Sequence, residues 1–244
     1  MLYDRRVVSS KKFRAHIAFT DRVGGYSDFP YSSLNMGMFV GDQPARVKAN
    51  HAIVSAALGV SAEALYFTQQ VHGTEIAYPE GKTVSSLPVA DAQITTIPEA
   101  VLAVVVADCT PVLLADVETG IVAAAHAGRR GMHSGLVPQV MESMYHLGAK
   151  RIQAVIGPAI CPRCYEVEYD IREEVAQSNP SAYSVTHSGT PSLDISGAVA
   201  AQIRTTGGEI LFWSQTCTYE SSRLYSYRRD GDTGRFAGLV WLSV

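Results

Sequence analysis

The side chains best suited to chemistry in this chain are His72, Cys109 and His126. Two imidazoles and a thiolate fill three positions around a zinc ion and leave the fourth to water or substrate, the pattern of a catalytic site. The same donors suit a trigonal copper centre. Without a metal, a cysteine beside a histidine is a nucleophile with its base. His72 and Cys109 are 37 residues apart and Cys109 and His126 are 17 apart, neither of which is a finger-type spacing. Spacing alone therefore leaves a plainer reading open, in which the cysteine packs as a small hydrophobe and the histidines sit at the surface or in the core.

For these groups to meet, the chain must bring them to one cleft. Residues 101–107, 111–115 and 121–125 are continuous apolar runs rich in Val and Ala, the mark of strands buried on both faces. Asp108-Cys109 falls where the first run stops, and His126 follows the third. His72 lies on a glycine-containing turn, Gln70-Val-His-Gly-Thr, between short strands expected at 65–69 and 75–78. Further strands are expected at 15–20, 152–156, 210–213 and 239–242, and residues 91–95 lead through Pro98 into the apolar runs. A helix is expected over 44–58, with Asp42 as its N-cap and Gly59 closing it. Met132, Leu136, Val140, Met141, Met144 and Leu147 form a second helical stripe, with Pro138 in its first turn or at a kink. Residues 170–177 and a segment capped by Asp194 and running to about residue 206 complete the helices. Residues 80–90 and 178–192 read as polar connections, and 223–235 as a polar segment. The expected fold class is α+β (mixed α/β), a single-domain layered sandwich of mixed β-sheet with flanking helices spanning 1–244.

Bulk properties narrow the partners. The 244 residues are 47% hydrophobic and 18% charged, enough for a substantial core. A net charge of −3 makes no electrostatic case for nucleic acid or an anionic membrane. The first 20 residues are basic but lack the apolar stretch of a secretory signal, and no run approaches the roughly 18 apolar residues of a membrane span. Four cysteines are too few for a disulfide scaffold, so reduced thiols and a cytoplasmic location are expected.

Longer motifs surround the three residues: Gln70-Val-His-Gly, Ala107-Asp-Cys-Thr-Pro-Val-Leu-Leu-Ala-Asp and Ala125-His-Ala-Gly-Arg-Arg-Gly. With Ser33-Leu-Asn-Met-Gly, Ile156-Gly-Pro-Ala-Ile, Cys164-Tyr-Glu-Val, Thr216-Cys-Thr-Tyr and Ser226-Tyr-Arg-Arg-Asp-Gly-Asp-Thr-Gly-Arg, they resemble, in order and across nearly the whole chain, the YfiH-like laccase-domain family. Its members were once named multicopper polyphenol oxidoreductases and later described as purine nucleoside phosphorylases. The resemblance implies that His72, Cys109 and His126 are catalytic and hold one zinc ion per chain. It also implies phosphorolysis of adenosine, inosine or methylthioadenosine, and deamination of adenosine, so the partners expected are a nucleoside and phosphate. Asn35, Arg129, Arg130, Arg228 and Arg229 are the candidates for substrate and phosphate, since guanidinium offers a fork of donors. Arg129 stands where the family usually has Trp, which bears on substrate preference. Asp108 either orients a ligand or caps a strand end.

Other readings remain. Cys109 with His126 or His72 would make an amidase or deamidase acting on peptidoglycan precursors, and a binding protein without catalysis would need only the cleft. A multicopper oxidase needs many imidazoles, whereas this chain has seven histidines and no His-x-His pair. Copper therefore enters only as an adventitious occupant of the zinc site. Cys161-Pro-Arg-Cys164 has metal or redox spacing but no second CxxC, and is read as structural thiols. His16, His51, His133, His146 and His187 are assigned to packing or the surface, and Trp213 and Trp241 to the core.

Overall fold

A strand that is apolar on both faces has to be covered twice, and this chain meets the demand by stacking two sheets with helices outside them. The computed structural model describes residues 1–79 and 87–244. In chain order the strands and helices are β1 (Leu2–Ser9), β2 (Arg14–Thr20), α1 (Pro44–Leu58), β3 (Leu65–Tyr66), β4 (Ile76–Ala77), β5 (Ala92–Thr95), β6 (Val101–Val106), β7 (Thr110–Asp116) and β8 (Ile121–Ala127). They continue with α2 (Arg129–His133), α3 (Leu136–His146), β9 (Gln153–Ile156), α4 (Tyr169–Ser178), β10 (Tyr183–Val185), β11 (Pro191–Leu193), α5 (Ile195–Thr205), β12 (Glu209–Trp213), α6 (Tyr227–Asp230) and β13 (Phe236–Ser243). One sheet has the order β1-β2-β13-β6-β3 and the other β12-β9-β7-β8-β5-β4, while β10 and β11 pair by themselves. Both large sheets are mixed: β3 lies parallel to β6, β4 to β5 and β12 to β9, and the remaining pairs are antiparallel.

The central strands divide their side chains by the two-residue period of a β-strand. Leu113 and Ala115 of β7 meet Leu102 and Val104 of β6 and Val240 of β13 between the sheets. Val112 and Leu114 point the other way, onto Val137, Val140, Met141 and Met144 of α3 and Val199 and Ile203 of α5. Outside the first sheet, Val101 and Ala103 of β6 and Leu239 of β13 pack on Val54 and Leu58 of α1. The layers are thus α1, sheet, sheet, helices, which is the mixed α/β sandwich expected.

Several expectations shift at the edges. The α1 N-cap is Gln43, which makes no side-chain cap, because the Asp42 carboxylate is engaged by Asn35 Nδ2 at 2.9 Å. The stripe from Met132 to Leu147 is broken into α2 and α3 by Gly135 at a φ of 81°, which leaves Pro138 in the first turn of α3. The strands expected at 65–69 and 75–78 shrink to two residues each. The Gln70 side chain replaces a ladder partner, exchanging two 2.8 Å bonds with the backbone of Val105. Segment 178–192 holds β10 and the start of β11, which pair as a hairpin, segment 223–235 contains α6, and β1 was not foreseen. Residues 80–86 of the connection expected at 80–90 lie outside the described residues. No helix among the described residues is long and apolar enough to cross a membrane.

Leu113 has no exposed surface and sits at the centre of the inter-sheet layer. Leu113→Ala should lower stability by about 2–5 kcal/mol in urea unfolding, the loss seen when a rigid core leaves the vacated volume unfilled; a change under about 1 kcal/mol would mean that the sheets close over it.

Candidate metal centre

His72, Cys109 and His126 converge from three separate pieces of the chain. His126 is the penultimate residue of β8, and Cys109 sits where the chain crosses from β6 in one sheet to β7 in the other. At that crossing Asp108 adopts a φ of 100°. His72 lies between β3 and β4 at a φ of 62°. The three ligand atoms lie within 4.8 Å of one another. Cys109 Sγ is 3.7 Å from His72 Nε2, and the two imidazoles stand edge to face with centroids 4.7 Å apart. Tetrahedral zinc, with bonds of about 2.3 Å to sulfur and about 2.0 Å to nitrogen, would set sulfur and nitrogen about 3.5 Å apart. The donor set and its spacing therefore fit one such ion. Gly128 makes the approach feasible, since a Cβ there would lie 2.6 Å from His72 Cδ2 and 3.1 Å from Cys109 Sγ.

A single buried carboxylate, that of Asp91, organises the histidines. Its Oδ1 accepts from His126 Nδ1 at 2.8 Å and from the His72 backbone N–H at 2.9 Å. Its Oδ2 accepts from the backbone N–H groups of Val71 at 3.0 Å and Gly73 at 2.7 Å. A carboxylate only accepts, so His126 Nδ1 carries the proton and Nε2 is left for an ion. The backbone bonds hold the His72 turn in its unfavourable left-handed conformation. In the sequence Asp91 only opens the segment 91–95 that leads into the apolar runs. The available signal was a lone acid directly ahead of a fully buried strand, where a charge requires partners.

Charge is shared within this group. Burial opposes the Cys109 thiolate, but the His126 charge and hydrogen bonds from His126 and His72 outweigh it and lower the thiol to about 6. Burial likewise pulls His126 down, and the Cys109 charge and the Asp91 bond carry it up to about 9. In the metal-free protein the two form a thiolate–imidazolium pair near neutral pH, and an entering ion displaces the His126 proton.

The trio lines a cavity of about 510 Å³, walled by Met36, Met38, Phe39, Phe67, Tyr165 and Tyr227. Of the five residues expected to meet substrate or phosphate, Asn35, Arg129, Arg130, Arg228 and Arg229, only Arg228 lines it. Arg228 lies 5.0 Å over the Tyr165 ring and gives one N–H to the Glu166 carbonyl at 2.8 Å. Arg229 is engaged elsewhere, by the carbonyls of Thr218, Tyr219, Ser221 and Leu224 and by the Asp230 carboxylate. Asn35 is fully buried and shapes the wall, bonding the backbone of Gly37 and the N–H of Arg235. Arg130 braces the His72 turn through the Val71 carbonyl at 2.8 Å. Arg129 opens α2, and its charge acts on the Tyr165 hydroxyl, so it bears on the cavity through that side chain. Arg235, not foreseen, lines the cavity with Nη1 held by the carbonyls of Thr233 and Gly234. The Asp108 carboxylate ties down the crossing, accepting from the Thr218 hydroxyl at 2.6 Å and the Arg228 N–H at 2.7 Å.

Comparison with known proteins adds a family. The model for the multi-copper polyphenol oxidoreductase laccase family matches residues 16–243. A purine nucleoside phosphorylase of Streptomyces coelicolor is 47% identical over 231 residues, covering 93% of this chain and 96% of the relative. The purine nucleoside phosphorylase YfiH of Escherichia coli is 37% identical over 224 residues, covering 91% of each. Among solved structures, the hypothetical protein YfiH of Bacillus licheniformis superposes with a TM-score of 0.87 at 26% identity, covering 98% of this chain and 99% of its own. YlmD of Geobacillus stearothermophilus gives 0.84 at 29% identity, covering 93% and 91%.

Two outcomes are expected. Asp91→Ala should weaken metal binding by His72, Cys109 and His126 some 10- to 100-fold in competitive titration, because His126 loses its orienting acceptor; unchanged affinity would remove Asp91 from that role. In metal-stripped protein, alkylation of Cys109 should rise with pH through a midpoint near about 6, since the thiolate persists above that value and is lost below it. A midpoint at 8 or higher would show that the imidazoles do not hold the thiolate.

Proposed function

This chain belongs to the multi-copper polyphenol oxidoreductase laccase family, and from that premise we propose that it is a purine nucleoside phosphorylase. In this reading its site takes one zinc ion through His72, Cys109 and His126, and it also deaminates adenosine. The observation that carries the proposal is the composition of one cavity. Three convergent metal donors, the aromatic residues Phe39, Tyr165 and Tyr227, and the arginines Arg228 and Arg235 line the same space of about 510 Å³. Aromatic faces suit a purine, guanidinium suits phosphate, and the volume is that of a small-molecule site.

The older oxidoreductase name asks for more imidazole than the cavity holds. Of the seven histidines, all among the described residues, His72 and His126 alone line it. His16 is stacked on Trp241 and His51 on Phe67, where they serve packing.

Phosphorolysis joins a phosphate oxygen to the ribose C1′ and breaks the bond from C1′ to the base, which leaves with the electron pair and takes a proton. Deamination adds water at the purine C6 and releases ammonia. When bound, zinc supplies a Lewis acid and makes water more acidic. The chain's own residues do the rest. Arg228, fixed by Tyr165 and Glu166, meets the phosphate charge, and Met36 and Met38 keep water from the base. Asp91 holds the His126 Nδ1 proton, so that Nε2 stays a donor to the ion throughout.

The thiolate–imidazolium pair of the metal-free site favours a second reading. In it Cys109 attacks an amide carbon and His126 protonates the leaving nitrogen. Metal dependence separates the two. Zinc-loaded protein with phosphate and adenosine, inosine or methylthioadenosine should release free base and the ribose 1-phosphate, with inosine also formed from adenosine, and a chelator should stop turnover. Absence of these products from zinc-replete protein would defeat the nucleoside reading, and full activity after chelation with covalent trapping at Cys109 would favour the second.

A further inference from the structure

A second group of ligating side chains lies outside the cavity. Cys161 and Cys164 come from the loop after β9, and Cys217 and Glu220 from the loop after β12. Their Sγ and carboxylate atoms all lie within 4.8 Å of one another, and the three thiols are free. We propose that Cys161, Cys164, Cys217 and Glu220 form a second, structural metal site that takes one zinc ion and fastens these two loops together.

The geometry of the loops supports a closed tetrahedral site. Cys161 and Cys164 bracket a tight turn, with the Cys164 N–H donating to the Cys161 carbonyl at 3.0 Å. The two sulfurs are thereby presented together, as a CxxC pair presents them to zinc. The backbone N–H of Cys161 donates to Cys217 Sγ at 3.3 Å, a bond that favours the thiolate form a ligand needs. The Cys164 thiol lies 3.5 Å from Glu220 Oε1, which puts a carboxylate at the fourth corner. His187 Nε2 stands 4.0 Å from that same oxygen. An odd number of thiols leaves one over from any disulfide, whereas a single four-coordinate ion uses all three with the carboxylate. Three thiolates, a carboxylate and a divalent ion sum to a charge of −2; the Arg229 guanidinium of α6, itself paired with Asp230, braces the second loop through the carbonyls of Thr218, Tyr219 and Ser221.

The site has a position in the architecture. The two loops already meet at an isolated bridge between Ala159 and Cys217, and both reach Asp108, through the Ile160 N–H and the Thr218 hydroxyl. Asp108 precedes Cys109, and Tyr165 of the cavity wall follows Cys164 directly. An ion there would fix one wall of the cavity without entering it.

Metal analysis of zinc-replete protein tests the proposal independently of any activity. Wild type should contain two zinc ions per chain, Cys109→Ala one, Cys217→Ser one, and the double variant none. In Cys109→Ala, the three remaining thiols should resist alkylation until a chelator strips the ion, and cobalt in place of zinc should show thiolate charge-transfer absorption. Should Cys217→Ser fail to fold, Glu220→Ala, altered at an exposed side chain, should still bind the second ion at least tenfold more weakly in competition with a chromogenic chelator. A Cys109→Ala protein that holds no zinc, freely reactive thiols in it, an unaltered affinity in Glu220→Ala, or a native disulfide among Cys161, Cys164 and Cys217 would each overturn the site.

Discussion

A charge with no exposed surface is tolerated only when donors surround it, and Asp91 is the group on which the rest of this site depends. Burial alone would raise its carboxyl, but the His126 bond and the backbone N–H groups of Val71 and Gly73 hold it below the ordinary range. The carboxylate therefore stays ionised and satisfied by the same contacts that place both histidines. It joins the start of β5, the end of β8 and the turn before β4, which lie apart in sequence and together at one end of the second sheet. Asp91 carries no reactive role, yet the ring orientation of one histidine and the backbone conformation of the other both follow from it.

The sandwich explains why chemistry gathers at this end. A chain that fills two stacked sheets has to cross between them, and the crossing from β6 to β7 is a short reversal through Asp108 and Cys109. The backbone there cannot continue either ladder, so it is anchored by side chains: Thr218 and the N–H of Arg228 hold the Asp108 carboxylate. A thiol beside so constrained a corner loses little conformational entropy when it is used, which is how a scaffold preorganises a ligand. The small residues of β8, Ala123 to Ala125 and Ala127, let the helices and the neighbouring sheet close over it.

What could be read from the sequence divides along physical lines. The apolar runs of β6, β7 and β8 are continuous because both faces are buried, so they stood out, and with them Cys109 and His126 at their ends. α1 was legible from its stripe and from Gly59 at its end, and α5 from its Asp194 cap. β1 escaped because it is a sheet edge whose Arg5, Val7 and Ser9 are exposed, leaving a pattern that resembles a polar terminus. β3 escaped at full length because a side chain, Gln70, takes over the pairing. Asp91 was hidden because its partners are backbone groups from a turn 18 to 20 residues away, which no spacing encodes. Cys217 lies 56 residues beyond Cys161, and only the meeting of two loops makes them neighbours. The arginines misled for a related reason: a guanidinium beside a motif is as ready to bind carbonyls as phosphate, and Arg229 binds carbonyls.

The position of β13 has a consequence for how the molecule is made. This strand occupies the middle of its sheet, between β2 and β6, although its residues are synthesised more than 120 positions after those of β6. Until they emerge from the ribosome, the facing edges of β2 and β6 have no partner, and the apolar layer between the sheets is open along its length. The first sheet therefore stays split into two parts, its β2 and β6 edges open to pairing with other nascent chains, until β13 slides into the gap.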